Sequence, residues 1–243
     1  MSAHILVIGA TGPTGVEFCN KALDEGHSLT LYVRNPDKLP AKISDNDAIT
    51  VIKGTLEDKV SLEKAVASGP TIFVSFAGPV MGSKGTVRCA SPSYGISGRT
   101  PSAPLLMPAK PVTDSLKTIF PLLIANNYKR AMVLGTPSFT APQDAGALKW
   151  KLSVLLIKVI GGSAYEEFSG LGAVVSSYDT AQLKWTLFRV PFLGNGPEKP
   201  VNATYTGSGT DGMFLSRKSI AAWVLKEMND GSEWIGKTPV LSN

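Results

Sequence analysis

Residues 4–34 constrain the fold of this chain more than any other segment. The apolar run HILVI (4–8) stops at Gly9, glycines recur over 9–15, a helical stretch over 14–25 stops at Gly26, and HSLTLYVR (27–34) supplies a second β-forming run. A strand that is apolar throughout is buried on both faces, as in a parallel sheet. Strand, tight turn, helix and strand in that order make a βαβ unit.

The rhythm continues. AITVIKG (48–54) reads as a strand, DKVSLEKAVAS (58–68) as a helix and TIFVSFAG (71–78) as a strand. A helix over 113–126, a strand RAMVLGT (130–136), helices within 146–184 and a strand WTLFRVP (185–191) follow. Six strands with helices between them predict an α/β fold with a doubly wound parallel sheet. We expect one main domain over 1–243, with a small substrate-side lobe over roughly 192–243. Residues 79–112 break the rhythm, because 15 of these 34 residues are Pro, Gly or Ser. Long structureless insertions are binding loops, lids or disordered segments. This one leaves the carboxyl end of the fourth strand, where ligands of such sheets bind, so a basic flap over a site is expected.

The glycine cluster points to a ligand. A turn between strand and helix leaves unpaired backbone N–H groups at the positive end of the helix dipole, where a pyrophosphate fits. Gly9, Gly12 and Gly15 are spaced three apart, and the segment from Ala10 to Gly15 matches G-x-G-x-x-G except for Ala at its first position. A dinucleotide is the reading. The end of the second strand selects between the two nicotinamide cofactors, since an acid there accepts from the ribose 2′-hydroxyl and an Arg meets the 2′-phosphate. Arg34 stands there with no acid beside it, and a guanidinium fork matches phosphate, so NADP is the expected cofactor.

Composition narrows the partners. Hydrophobic residues are 43% and charged residues 18%, which excludes a disordered chain. With 24 Lys and Arg against 19 acids the net charge is +5 and the pI about 9.1, suiting a small anionic ligand. No dense Lys/Arg run with interleaved aromatics suggests nucleic acid. Lys84, Arg88, Arg99 and Lys110 put four of the five net charges in 79–112. Cys19 and Cys89 match neither a disulfide framework nor a metal spacing, so free thiols in a reducing compartment are expected. The most apolar stretch, SVLLIKVIGG (153–162), is cut by Lys158 well short of the roughly 18 residues of a span. A cytoplasmic protein without membrane contact is the expectation. The helices within 146–184 show no clear exposed stripe, which leaves monomer and homodimer both open.

At these residues a family resemblance becomes visible. GATGPTG (9–15), Arg34, GTLED (54–58), WTLFRVPFL (185–193) and LSRKSIAAWVLKEMNDGSEWIGKTPVLS (215–242) resemble the atypical short-chain dehydrogenase/reductase group. Within it the chain is similar to NmrA-like NAD(P)-binding proteins that include biliverdin/flavin reductases. The likeness covers the chain apart from 79–112 and parts of 140–175. It implies a Rossmann-type fold with Thr11, Gly12, Pro13 and Thr14 along a pyrophosphate and Thr55 and Leu56 beside the adenine. Phe76, Ala77 and Gly78 would line a ribose, and Thr136, Pro191 and Phe192 would approach the nicotinamide.

The proton chemistry is less marked. Typical members of the wider superfamily place Tyr-x-x-x-Lys about 13 residues after a Ser, so that the lysine lowers the tyrosine pKa. Ser138 fits the first position, but Lys151 and Leu155 stand where Tyr and Lys belong. Related reductases carry a lysine on the helix before the sixth strand, and GLGAVVSSYDTA (170–181) has none. Ser138 and Tyr165 remain as candidate donors. His4 and His27 sit at strand starts, and neither a metal site nor a nucleophilic triad is expected. Hydride transfer to an acceptor that is cationic, or whose product anion is delocalised, needs little proton donation. The resemblance and this argument imply an NADPH-dependent reductase of a flavin, linear tetrapyrrole, quinone, enone or iminium substrate, in secondary metabolism. Two alternatives stay open: a non-catalytic sensor of NADP(H), and a reductase whose product cyclises or isomerises in the same pocket.

Overall fold

The computed structural model describes residues 2–78, 110–160 and 162–243. β1 (His4–Ile8), β2 (Ser28–Val33), β3 (Ile49–Lys53), β4 (Ile72–Ser75), β5 (Arg130–Gly135) and β6 (Lys184–Arg189) are the six expected strands, each within two residues of its expected bounds except β4, which stops at Ser75. They lie parallel in the order β3-β2-β1-β4-β5-β6, so the strand order reverses between β1 and β4. All six carboxyl ends therefore share one edge. This is the Rossmann-type α/β arrangement.

Period-2 alternation divides the core into two layers. Ile5, Val7, Leu29, Leu31, Val74, Met132 and Phe188 face one side, against α1 (Pro13–Asp24) and α7 (Arg217–Glu227). Leu6, Ile8, Phe73, Ala131, Val133 and Leu187 face the other, against α3 (Lys59–Val66), α4 (Pro111–Ala125) and α6 (Gly162–Ser176). A short α2 (Ala41–Ser44) follows β2, and α5 (Leu148–Ile160) precedes α6. α4 begins two residues before its expected start, because Pro111 has the fixed φ and missing N–H that suit the first helical position. The expected flap lies outside the described residues apart from 110–112.

In the C-terminal part, where a small substrate-side lobe is expected, two short strands extend the main sheet. β10 (Val240–Ser242) adds to β6 in parallel and β8 (Asn202–Thr204) adds to β10 antiparallel, making an eight-stranded main sheet. α7 packs on α1. Among the described residues, β7 (Phe192–Gly194) and β9 (Phe214–Ser216) alone form a sheet of their own. Strands of three residues are too short to show alternation, and this hid them from the sequence reading.

Candidate cofactor and substrate site

The strand order reverses between β1 and β4, and in sheets of this kind ligands bind at the carboxyl ends of the strands on either side of that reversal. Gly9 has φ +85, and a Cβ there would lie 2.8 Å from the Phe76 carbonyl carbon, so the two loops touch backbone to backbone. A Cβ on Gly15 would stand 2.2 Å from the Gly9 oxygen. Packing thus requires glycine at both positions. Gly12 is different: its φ of −80 and ψ of 158 suit any residue, and a Cβ would meet only the Gly9 oxygen, at 3.4 Å. Nothing inside the described protein demands a glycine at 12.

Gly12 is also the N-cap of α1, with no side-chain cap and no acid in the first turn. A Ser, Thr, Asn or Asp cap would be more stabilising by only a few tenths of a kcal/mol, and its side chain would occupy the helix end that glycine leaves open. Pro13 occupies the first helical position and is exposed, Thr14 and Gly15 are buried, and Thr11 is half-buried beside them. The open side above Gly12 and the uncapped positive helix end fit a pyrophosphate.

The other expected residues line the same edge in strand order. Arg34 follows β2, is exposed, and joins none of the ion pairs among the described residues. Thr55 and Leu56 follow β3 in a loop held by the Tyr32 hydroxyl, which donates to the Thr55 carbonyl at 2.7 Å. Gly54 is needed for that contact, because a Cβ would overlap the Tyr32 hydroxyl at 2.2 Å. Phe76 brings only its backbone to the edge, since its ring turns into the core between Phe18 at 5.1 Å and Phe188 at 6.1 Å. Ala77 and Gly78 are half-buried, and the Phe168 ring of α6 reaches the space beside Gly78.

Thr136 and Ser138 follow β5. Ser138 is 4% exposed, and its Oγ has no hydrogen-bond partner among the described residues. A buried unpaired hydroxyl costs about 1–3 kcal/mol, which a ligand group can recover. Its loop is clamped from below. Arg189 at the end of β6 is fully buried and forks onto Asp144, with Nη1 to Oδ2 at 2.6 Å and Nη2 to Oδ1 at 2.9 Å. The same guanidinium donates to the carbonyls of Phe139 and Thr238, and Asp144 accepts from the backbone N–H groups of Ala141 and Thr206. Burial alone would raise the Asp144 pKa, but the Arg189 guanidinium and the two backbone donors outweigh it and hold the carboxyl below its ordinary value.

After β6, Pro191 is half-buried and Phe192 is 45% exposed. Phe192 pairs with Phe214, itself 69% exposed, at a centroid distance of 6.1 Å and an interplanar angle of 40°. Leu193 and Leu215 alternate with them into the core, so the two rings share the outward face of β7 and β9. The sequence reading missed Phe214, because the pairing of β7 with β9 joins residues far apart in the chain. Tyr165 is half-buried in the first turn of α6, with the Lys158 ammonium 5.3 Å above its ring. It stands one helical turn before Phe168, and no hydrogen bond joins it to Ser138 among the described residues. His4 lies at the opposite end of β1, bonded to Thr30 at 2.9 Å. Cys19 is sealed in α1, where burial pushes its thiol up to about 12. Among the described residues no group of three His, Cys, Asp or Glu side chains could hold a metal.

A family model described as NAD(P)H-binding matches residues 9–231. The chain belongs to this family. A short-chain dehydrogenase/reductase from Veillonella parvula, solved in complex with NADP, superposes with a TM-score of 0.71 at 19% identity, covering 100% of this chain and 95% of that one. An anaerobillin reductase, ChuY, from Escherichia coli O157:H7 superposes with a TM-score of 0.68 at 16% identity, over 98% and 96% of the two chains. Likeness at these identities concerns the fold. The Arabidopsis thaliana protein named "Probable pinoresinol-lariciresinol reductase 3" is 37% identical over 68 residues, which are 27% of this chain and 22% of that protein.

Proposed function

We propose that the chain is an NADPH-dependent reductase that delivers hydride to a conjugated or cationic organic acceptor of flavin, quinone, enone or iminium type. The observation that carries the cofactor half is Gly12, a glycine at an uncapped helix start that neither backbone conformation nor internal packing requires. Family membership and the NADP held by the Veillonella parvula protein support the same reading. Gly9, Thr11, Gly12, Pro13, Thr14 and Gly15 form the pyrophosphate loop, Arg34 takes the 2′-phosphate, and Thr55 and Leu56 flank the adenine. The backbone of Phe76, Ala77 and Gly78 follows the ribose, with Thr136, Pro191 and Phe192 beside the nicotinamide.

NADPH, when bound, supplies the hydride; the residues of the chain orient and shield. The Phe192 and Phe214 rings form an aromatic wall suited to a flat conjugated acceptor. The unpaired Ser138 hydroxyl holds a proton or a hydrogen bond for the acceptor or the cofactor amide, and Tyr165 is the second candidate donor. The names of the ChuY and Arabidopsis proteins, an anaerobillin reductase and a probable pinoresinol-lariciresinol reductase, support a reductase reading.

Calorimetric titration with NADPH and NADH, followed by NADPH oxidation against a panel of flavin, quinone, enone and iminium acceptors, tests the reading. NADPH binding with turnover of one acceptor class is the expected result. Absence of binding overturns the cofactor assignment. Binding without turnover against every acceptor supports the sensor alternative.

A further inference from the structure

Among the described residues α5 packs on α6, which covers one of its sides. At 3.6 residues per turn, Trp150, Ser153, Val154 and Ile157 lie on the covered side, where Trp150 is buried and the other three are half-buried. Leu148, Leu152, Leu155, Leu156 and Val159 fall within an arc of about 100° on the opposite side. They are 70%, 58%, 55%, 53% and 75% exposed, and they make up five of the eight exposed large apolar side chains among the described residues. The stripe that the sequence reading did not find is therefore present. It was hidden because LKWKLSVLLIKVI is apolar on both its inner and its outer face.

Lysines border the stripe. Lys149 lies on one flank and Lys151 and Lys158 on the other, and no acid occurs between Asp144 and Glu166. Lys149 pairs with the buried Asp211 at 3.2 Å, whose carboxylate also accepts from the Trp150 indole and from the N–H groups of Gly207 and Gly209. This anchors the first turn of α5 to the body. Lys151 and Lys158 have no acidic partner among the described residues.

We propose that α5 is a surface anchor that lays its leucine face into an anionic lipid bilayer. An apolar arc bordered by lysines is what an interfacial helix presents: the leucines enter the acyl boundary while the lysine stems reach up to the lipid phosphates. The helix has 13 residues, and no described helix is long and apolar enough to cross a membrane, so α5 lies in the surface plane. A second copy is a poor occupant. Two-fold pairing of α5 with itself, parallel or antiparallel, sets lysine flank against lysine flank with no acid to relieve them. A protein groove is also disfavoured, because protein interfaces are rich in aromatics and Arg and poor in Lys, the reverse of this face. The proposal departs from the expectation of no membrane contact, and it is independent of the cofactor reading.

Co-sedimentation of the full chain with phosphatidylcholine vesicles, with and without phosphatidylserine, is the test. The wild type is expected to sediment only with the anionic vesicles and to be released by high salt. Leu152→Glu with Leu155→Glu, and separately Lys151→Glu, are expected to weaken binding at least about tenfold without lowering Tm. The proposal is overturned if the wild type stays in the supernatant or if the leucine variant still sediments. It is also overturned if that variant loses Tm, which would mean that the chain itself covers the face. A wild-type dimer in sedimentation velocity that the leucine variant dissociates would likewise overturn it in favour of a second copy.

Discussion

Three glycines of one loop separate packing from binding. Gly15→Ala forces a Cβ to within 2.2 Å of a backbone oxygen that cannot move independently of β1. We expect it to destabilise the protein by about 3 kcal/mol in urea unfolding, through overpacking alone. Gly12→Ala keeps an allowed backbone and an ordinary contact, so its stability cost should stay below about 1 kcal/mol. Its NADPH affinity should nevertheless fall by at least about tenfold, as the methyl occupies the open side above the helix end. Equal affinity in Gly12→Ala and wild type, measured by calorimetry, would remove the observation on which the cofactor site rests. With Arg34 on the 2′-phosphate as proposed, Arg34→Ala would remove one charged contact worth about 1.5–3 kcal/mol. NADPH binding should weaken by roughly 10- to 150-fold while NADH binding changes little.

Two buried polar contacts between elements have opposite pH signatures. Arg189 and Asp144 tie the loop carrying Ser138 to the end of β6, and Arg189→Met would leave Asp144 buried with its charge unpaired. We expect a loss of about 3–5 kcal/mol in denaturant unfolding. Asp144 and Asp211 both have pKa values lowered in the native state, Asp211 to about 2, where several hydrogen bonds and Lys149 overcome the burial that would raise it. Such groups contribute stability that is complete above their unfolded pKa near 4 and is lost as pH falls toward 2. Glu167 is the reverse case. It is buried on α6, accepts from the Thr113 N–H at 2.6 Å at the start of α4, and its pKa is raised because burial outweighs the Thr113 bonds. The native state therefore holds this proton more tightly, and stability declines as pH rises through the window above the unfolded value. Glu167→Gln keeps an acceptor for Thr113 and removes the buried charge. Its Tm should exceed that of the wild type at neutral pH and converge with it at acidic pH; a lower Tm at pH 7 would show that the carboxylate itself is needed.

At the scale of the whole molecule, cofactor binding should appear as stability. A ligand at 100 times its Kd stabilises the native state by about 2.7 kcal/mol, or roughly 5–10 °C in Tm for a chain of this size. NADPH should produce that shift and Arg34→Ala should reduce it at the same concentration. By itself the sequence determined the parallel sheet and the glycine turn after β1, because continuous apolar runs and the 9–15 glycines are local signals that no distant residue alters. It also placed Arg34 directly after the second strand, where the structure has it. What only the tertiary structure decided are relations between residues far apart in the chain: Arg189 on Asp144, Phe214 beside Phe192, the three-residue strands that widen the sheet, and Glu167 at the start of α4. It also decided which apolar face of α5 is buried and which is bare. Each depends on which surfaces meet after the chain has turned back on itself, and propensity and spacing carry no information about that meeting.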